Sequence, residues 1–417
     1  MAIGYACLTV GVPGTGFRTC RKDAATPEVL RELIRHNLTS LDRILDYNDA
    51  RDIRLFRISS DIIPFGSHPV NRLRWWEEFA DELGALGAKA ADRGLRLSMH
   101  PGQYTVLNSP NPDVVERAVA DLAYHNRFLD AMGLDGSNKL ILHIGGAYGD
   151  KRSALRRFAE NYAGLDDGIR RRLVIENDDK LFTIGEVMTI GTECGIPVVF
   201  DNLHNAVNPE DDTPEIRWIE RAGKTWREAD GRQKIHYSQQ AAAKKAGSHS
   251  ATIDVAEFSR FYCELGAVKP DIMLEVKDKN LSAVKCIYTV HRTGIGALER
   301  EWARYKYLVL ERSPRIYTAI RELLKDKSGY PVTQFYDLID RALSEDPEPG
   351  HAINAAQHVW GYFKDSADDT VRRKFERALS KIRAGGSAKP AKRVLLKLVK
   401  ESGQAYLRDS LYFAEIL

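Results

Sequence analysis

The sequence predicts an α/β fold, a TIM (β/α)8 barrel with a C-terminal all-helical extension. Two observations lead there. Eight short apolar runs alternate with stretches of helical periodicity, the pattern a closed parallel barrel requires. Polar residues with metal-ligand chemistry close almost every run, whereas an open doubly wound sheet would gather its ligand site at one switch point.

In order, Ile3–Val10 reads as a buried strand, and Thr26–Tyr47 as a helix opened by an N-cap threonine and a first-turn proline. Arg54–Ser59 is the second strand and Leu73–Gly94 a helix. The third strand, Leu95–His100, stops at Pro101-Gly102 and places Gln103 and Tyr104 on the turn beyond. Asp113–Met132 is an amphipathic helix, Lys139–His143 a strand, Arg152–Tyr162 a helix and Leu173–Glu176 a strand. Thr183–Cys194, Pro197–Asp201, Glu215–Glu228, Lys234–Tyr237, Asp254–Leu265 and Asp271–Val276 continue the alternation to the eighth strand. Lys277–Thr289 is expected to add an edge segment, and Leu298–Leu324 a long helix or helix pair. Asp346-Pro-Glu-Pro-Gly350 signals a linker, and 351–417 is helical with breaks at Gly385-Gly386 and Pro390. The expected domains are therefore 1–290 (barrel), 291–345 (a helical extension packing on it) and 346–417 (a small helical domain).

Composition narrows the class. Hydrophobic residues at 43% and charged residues at 29% suit a soluble globular protein. A net charge of +3 provides no global field for nucleic acid, so any such partner needs a local basic patch. Lys381–Lys400, rich in Lys and Arg and free of acids, is the one candidate, either a solvated helical face or a phosphate contact. Five scattered cysteines without CxxC spacing point to a reduced, cytoplasmic setting. No apolar run is long enough to span a membrane, and Gly145-Gly146-Ala147-Tyr148 is no Walker loop, so neither a membrane nor a nucleotide cofactor is expected.

The chemistry lies in the strand ends: His100, His143, Glu176, Asp201, His236 and Glu275, with His204 and His249 just beyond. A carboxylate or imidazole closing an apolar strand is costly to bury alone, and in a barrel these ends converge on one face. Imidazoles and carboxylates without thiolates suit Zn, Mn or Fe. Eight candidate ligands exceed one ion's need and fit two or three ions sharing a bridging carboxylate. Such a cluster suits phosphodiester hydrolysis.

The runs Phe56-Arg-Ile-Ser-Ser60 with His68-Pro69, Ser98-Met-His-Pro-Gly-Gln-Tyr104, Leu142-His-Ile-Gly-Gly-Ala-Tyr148, Ile175-Glu-Asn-Asp178, Asp201-Asn-Leu-His204, Lys234-Ile-His236 and Glu275-Val-Lys277 resemble the UV damage endonucleases over about two-thirds of the chain. The resemblance implies a TIM barrel related to apurinic endonucleases and xylose isomerases. It implies a monomer that nicks damaged double-stranded DNA immediately 5′ of UV photoproducts (pyrimidine dimers and 6-4 photoproducts). It also implies three divalent metal ions, manganese first, with zinc, cobalt or magnesium as alternatives. By the same resemblance Glu176 bridges two ions, Asp201, His236 and Glu275 complete one shell, and His100 and His143 complete the other. His204 and His249 would hold the third ion. Glu176, His236 and Lys234 are the catalytic set, Lys234 matching a lysine that can be carboxylated. Gln103 and Tyr104 match residues that probe the helix, His68 lies on the rim, and Tyr5 aligns with a probing tyrosine. The asparagine that follows that tyrosine in the family is missing from Tyr5-Ala-Cys-Leu-Thr9, which leaves lesion preference open. Asn354–Lys364, with Tyr406-Leu-Arg408, resembles a small helical domain of unknown function found encoded beside photorepair enzymes.

Two rival readings use the same residues. A sugar isomerase or epimerase would use two ions on vicinal oxygens and needs a small, enclosed pocket. A non-catalytic lesion-binding module would bind damaged DNA without metal.

Overall fold

A computed structural model describes residues 1–417. The chain divides into two compact units. One comprises Met1–Thr9, Gly14–Ile253 and Arg260–Ile287, and the other Val10–Pro13, Asp254–Ser259 and Tyr288–Leu417.

The first unit is a closed barrel of eight parallel strands in sequence order. They are β1 (Ile3–Ala6), β2 (Leu55–Ile58), β3 (Arg96–Met99), β4 (Lys139–His143), β5 (Leu173–Glu176), β6 (Val198–Asp201), β7 (Lys234–Tyr237) and β8 (Asp271–Leu274). Closure is direct, with Tyr5 of β1 paired to Leu274 of β8. The strands are buried on both faces because helices cover the outside, hence the near-continuous apolar runs. Gly4 is where β1 and β2 come closest: a Cβ there would lie 1.7 Å from the Leu55 carbonyl oxygen.

Each strand leads to a helix: α1 (Pro27–Ala50), α2 (Ala80–Asp92), α3 (Pro112–Ala131), α4 (Lys151–Ala163), α5 (Ile184–Cys194), α6 (Glu215–Gly223), α7 (Val255–Glu264) and α8 (Asn280–His291). Several starts are set by side-chain caps. Thr26 accepts from the Val29 amide ahead of Pro27, and Thr183 and Glu186 form a capping box on α5.

Three expectations need correction. The helix expected over Leu73–Gly94 is interrupted at Phe79, whose buried ring fixes a non-helical backbone between Trp75–Glu78 and α2. Lys277–Thr289 contains no strand. The closed barrel has no free edge to accept one, and the segment's apolar residues follow a helical period into α8. The first strand stops at Ala6, where Cys7 takes a positive φ of 70°.

The second unit is all-helical. It contains α9 (Ile295–Arg312), α10 (Pro314–Leu323), α11 (Val332–Ser344), α12 (Pro349–Trp360), α13 (Asp369–Arg383) and α14 (Lys389–Ser402). Pro314 separates α9 from α10, since the residue before a proline avoids the helical region. The core joins Tyr307, Ala355, Val359, Phe375, Leu379 and Leu395. Trp360 stacks on Phe375 at 4.5 Å. Lys392, fully buried, is neutralised by Glu311 at 2.6 Å and Glu415 at 2.7 Å.

Candidate metal centre at the carboxyl ends of the strands

Glu176 ends β5 and is the hub. Its carboxylate is 1% exposed, with Oε1 2.7 Å from His236 Nδ1 and Oε2 3.3 Å from His100 Nε2. His143 Nε2 lies 3.7 Å from Oε2 and His204 Nδ1 3.8 Å from Oε1. Two sets of ligand atoms each fit within 4.8 Å: His100, His143 and Glu176, and Glu176, Asp201 and His236. Glu176 belongs to both. Register explains the gathering, because His143 pairs with Glu176 and Asp201 with His236 across neighbouring strands.

Glu275 and His249 complete one side. Glu275 Oε1 is 3.3 Å from His236 Nδ1, and Oε2 is 3.8 Å from His249 Nε2. His204 sits one helical turn beyond Asp201, and its amide donates to Asp201 Oδ1 at 2.8 Å. All eight residues named as ligands from the sequence therefore stand on one face.

Several polar atoms here are buried with no hydrogen-bond partner: His236 Nε2, His143 Nδ1 and Asp201 Oδ2. Orphaned lone pairs of this kind are costly unless something else satisfies them. Divalent cations fit the donor set. The outer shell is already arranged for lone-pair donation. His100 Nδ1 lies 2.9 Å from the Pro101 carbonyl and His204 Nδ1 2.9 Å from the Asn177 carbonyl. A carbonyl only accepts, so Nδ1 carries a proton in both rings and Nε2 is the atom left to face a cation.

Electrostatics follow from burial. Burial opposes ionisation of Glu176, but His236 and His143 outweigh it and hold its pKa well below the usual carboxylate range. Burial pushes Asp201 up to about 7. Burial works against the His204 imidazolium, yet Asp201 and Glu176 prevail and raise its pKa to about 9. Burial carries His143 down to about 4. Desolvation opposes ionisation of the half-buried Glu275 as well, but Arg57, which donates to Oε1, holds its pKa low.

The remaining sequence-derived residues divide. Gln103 and Tyr104 are exposed on the loop after β3, with Tyr104 74% accessible. His68 is half-buried, its Nδ1 accepting from the Val70 amide at 3.0 Å. His68 and Tyr104 line a cavity of about 970 Å³ with Asp61, Phe65, Arg117 and Tyr124. Lys234 lies two residues before His236, fully buried, its Nζ without a partner. Tyr5 is a correction. Its side chain is 0% exposed, packs on Phe56 at 5.1 Å and hydrogen-bonds Thr9 and Asn48, so it forms part of the core and offers nothing to a duplex.

Sequence reasoning missed two elements. Arg57 reveals itself only as a cation inside an apolar strand. The second is a buried chain of hydrogen bonds. Ser60 Oγ donates to the His100 carbonyl, His125 Nε2 meets Ser60 Oγ at 2.8 Å, and His125 Nδ1 reaches the Asp121 carbonyl at 2.7 Å. The Asp121 carboxylate accepts from Thr105 at 2.6 Å and from Ser67 at 2.7 Å, tying the Tyr104 loop to the His68 loop.

Comparison with known proteins agrees with this geometry. The family model for UV-endonuclease UvdE matches residues 1–295. The chain belongs to that family. A UV DNA damage endonuclease of Clostridium perfringens is 41% identical over 349 residues, covering 82% of this chain and 83% of the relative. One from Bacillus pumilus is 36% identical over 265 residues, 62% of this chain and 82% of its own. The crystal structure of SacUVDE superposes with a TM-score of 0.67 at 36% identity, over 70% of this UvdE-family chain and 98% of that one. Residues 306–416 match a separate family described as Protein of unknown function (DUF1722).

Proposed function

We propose that the barrel is a metal-dependent endonuclease that nicks duplex DNA immediately 5′ of UV photoproducts by phosphodiester hydrolysis. The observation that carries this reading is the pair of ligand trios sharing Glu176 at the carboxyl ends of the strands. The names of the UvdE-family relatives support the substrate.

Glu176 would join two sites, with His100 and His143 on one side and Asp201, His236 and Glu275 on the other. His204 and His249 would serve a third, and manganese is the first candidate. The chemistry such ions would supply is a hydroxide near neutral pH and positive charge opposite the phosphate oxygens and the departing alkoxide. The protein's own groups do the rest. Arg57 fixes the Glu275 carboxylate, and the Pro101 and Asn177 carbonyls orient His100 and His204. The exposed Tyr104 and Gln103 would enter a helix where a damaged step stacks poorly and opens cheaply. The acids lining the adjoining cavity suit displaced bases better than phosphates. Lys234, a buried amine with no partner, fits a carboxylated lysine that would act as an anion.

The test is purified protein with manganese and an end-labelled irradiated duplex. One nick on the 5′ side of the dimer is expected, with none on unirradiated DNA. Absence of lesion-dependent cleavage with manganese, zinc, cobalt and magnesium alike overturns the reading.

A further inference from the structure

Charge in this chain is segregated. Residues 372–400 hold eleven Lys and Arg against a single acid, Glu376. That segment is net +10 in a chain of net +3, so the remaining residues are net negative.

Helix geometry turns the excess into a surface. On α14 the buried positions are Ala391, Lys392, Leu395 and Val399. Lys389, Arg393, Lys397 and Lys400 occupy the opposite side at i, i+4, i+8 and i+11, a ridge about 16 Å long. On α13, Phe375, Ala378, Leu379 and Ile382 face inward, and Arg373, Arg377 and Lys381 repeat at i, i+4 and i+8 outside. The two helices pack on each other through the Gly385-Gly386 turn, so the ridges belong to one helical hairpin.

These cations lack counter-charges and lie together on one hairpin. Elsewhere in the chain Arg31, Arg54, Lys89, Arg93, Lys151 and Arg217 are paired with acids. Lys374, Arg377, Lys381, Arg383, Lys389, Arg393 and Lys400 are exposed and form no ion pair, and Lys397 has only a screened contact with Glu401 at 3.5 Å. Like charges at i, i+4 destabilise a helix, so each ridge favours an anionic partner that relieves the repulsion. Seven or more unpaired cations on one hairpin match a polyanion with regularly spaced phosphates.

We propose that the α13–α14 hairpin is a second DNA-binding surface, one that grips the backbone of undamaged duplex irrespective of sequence. This rests on the reading that DNA is the barrel's substrate, and extends it to the segment whose family has no assigned role. Binding of this kind rests on counterion release, so affinity falls steeply with salt.

The experiment measures binding of the full chain to undamaged duplex by fluorescence anisotropy across a salt series. One variant carries Lys389→Gln, Arg393→Gln, Lys397→Gln and Lys400→Gln. A control carries Arg300→Gln, Arg315→Gln, Arg321→Gln and Lys325→Gln, all exposed positions in the same unit. The slope of log K against log salt should fall by about 3.6 in the ridge variant, at about 0.9 per phosphate contact for each of the four cations, and by less than about 1 in the control. Arg373→Gln, Arg377→Gln and Lys381→Gln together should lower it by about 2.7. Equal slopes in the ridge variant and the parent, equal losses in ridge variant and control, or a loss seen with single strands and not with duplex overturns the proposal. The readout needs no cleavage, so it succeeds or fails independently of lesion-directed nicking.

Discussion

Glu176→Gln is the sharpest perturbation the structure offers. The substitution keeps the shape of a side chain that is 1% exposed and removes only its charge. Glu176 alone belongs to both ligand trios, so each loses its shared carboxylate oxygen. Two unit charges about 4 Å apart interact by about 4 kcal/mol at an effective dielectric constant of 20, and a divalent cation doubles that. If relaxation and solvent recover half, about 4 kcal/mol per ion is lost, or roughly 10³-fold in affinity. Nicking of an irradiated duplex should fall by at least about 10³-fold under single-turnover conditions. Bound metal, measured by mass spectrometry after gel filtration, should drop in parallel. Circular dichroism establishes that the fold survives. A folded Glu176→Gln protein that keeps its metal and nicks within about tenfold of the parent would refute the bridging role.

Other outcomes follow from particular contacts. Tyr104→Ala removes a 74% exposed ring, so thermal stability should hold while preference for irradiated over plain duplex falls about tenfold, since stacking on an aromatic is worth about 1–3 kcal/mol per base; an unchanged preference would free the loop of that role. Asp121→Ala leaves Thr105 and Ser67 without their acceptor and should cost about 1–3 kcal/mol in denaturant unfolding, besides loosening both loops. Metal binding should release protons. His204, raised to about 9, is protonated at pH 7.5 and Asp201, raised to about 7, partly so; ligation must displace both, so affinity rises with pH between about 6 and 9. Titration calorimetry in buffers of different ionisation enthalpy reads the release directly, and a pH-independent affinity would show that neither group is a ligand.

The barrel was legible because its signals are local and repeated. Leu173-Val-Ile-Glu176 and Val198-Val-Phe-Asp201 show in four letters each an apolar strand with a polar terminus, and the spread of such termini over almost every strand favours closure over an open sheet. The candidate cluster was legible for the same reason: a charged residue ending a buried strand is too costly to keep there without a partner of opposite charge. What escaped depends on contacts between distant segments. Tyr5 aligns with a probing residue, yet the core pairing of its ring with Phe56 and its hydroxyl with Asn48 is decided 43 and more positions away in the chain. The chain from His100 through Ser60 to His125 and Asp121 joins three segments through ordinary-looking residues, and neither Ser60, His125 nor Asp121 stands out alone. Lys277–Thr289 misled because a short apolar run reads equally as strand or helix, and closure decides.

Lys234 carries the last test. Its Nζ is fully buried with no partner, and Arg96, Arg57 and Lys139 add positive charge around it against Asp271. Burial drives its pKa well below that of an exposed lysine, which favours the neutral, nucleophilic form of the amine. Such an amine can attack carbon dioxide: an N–C bond forms, one proton leaves, and the carbamate anion that results can accept hydrogen bonds from the surrounding cations. Protein equilibrated with ¹³C-bicarbonate should show a carbamate resonance that is absent in Lys234→Met. The carbamate would also make the methionine variant less stable, because the neighbouring cations would lose their buried counter-charge. If the lysine is an ordinary neutral amine, methionine fills the space at little cost, stability is unchanged and no resonance appears in either protein.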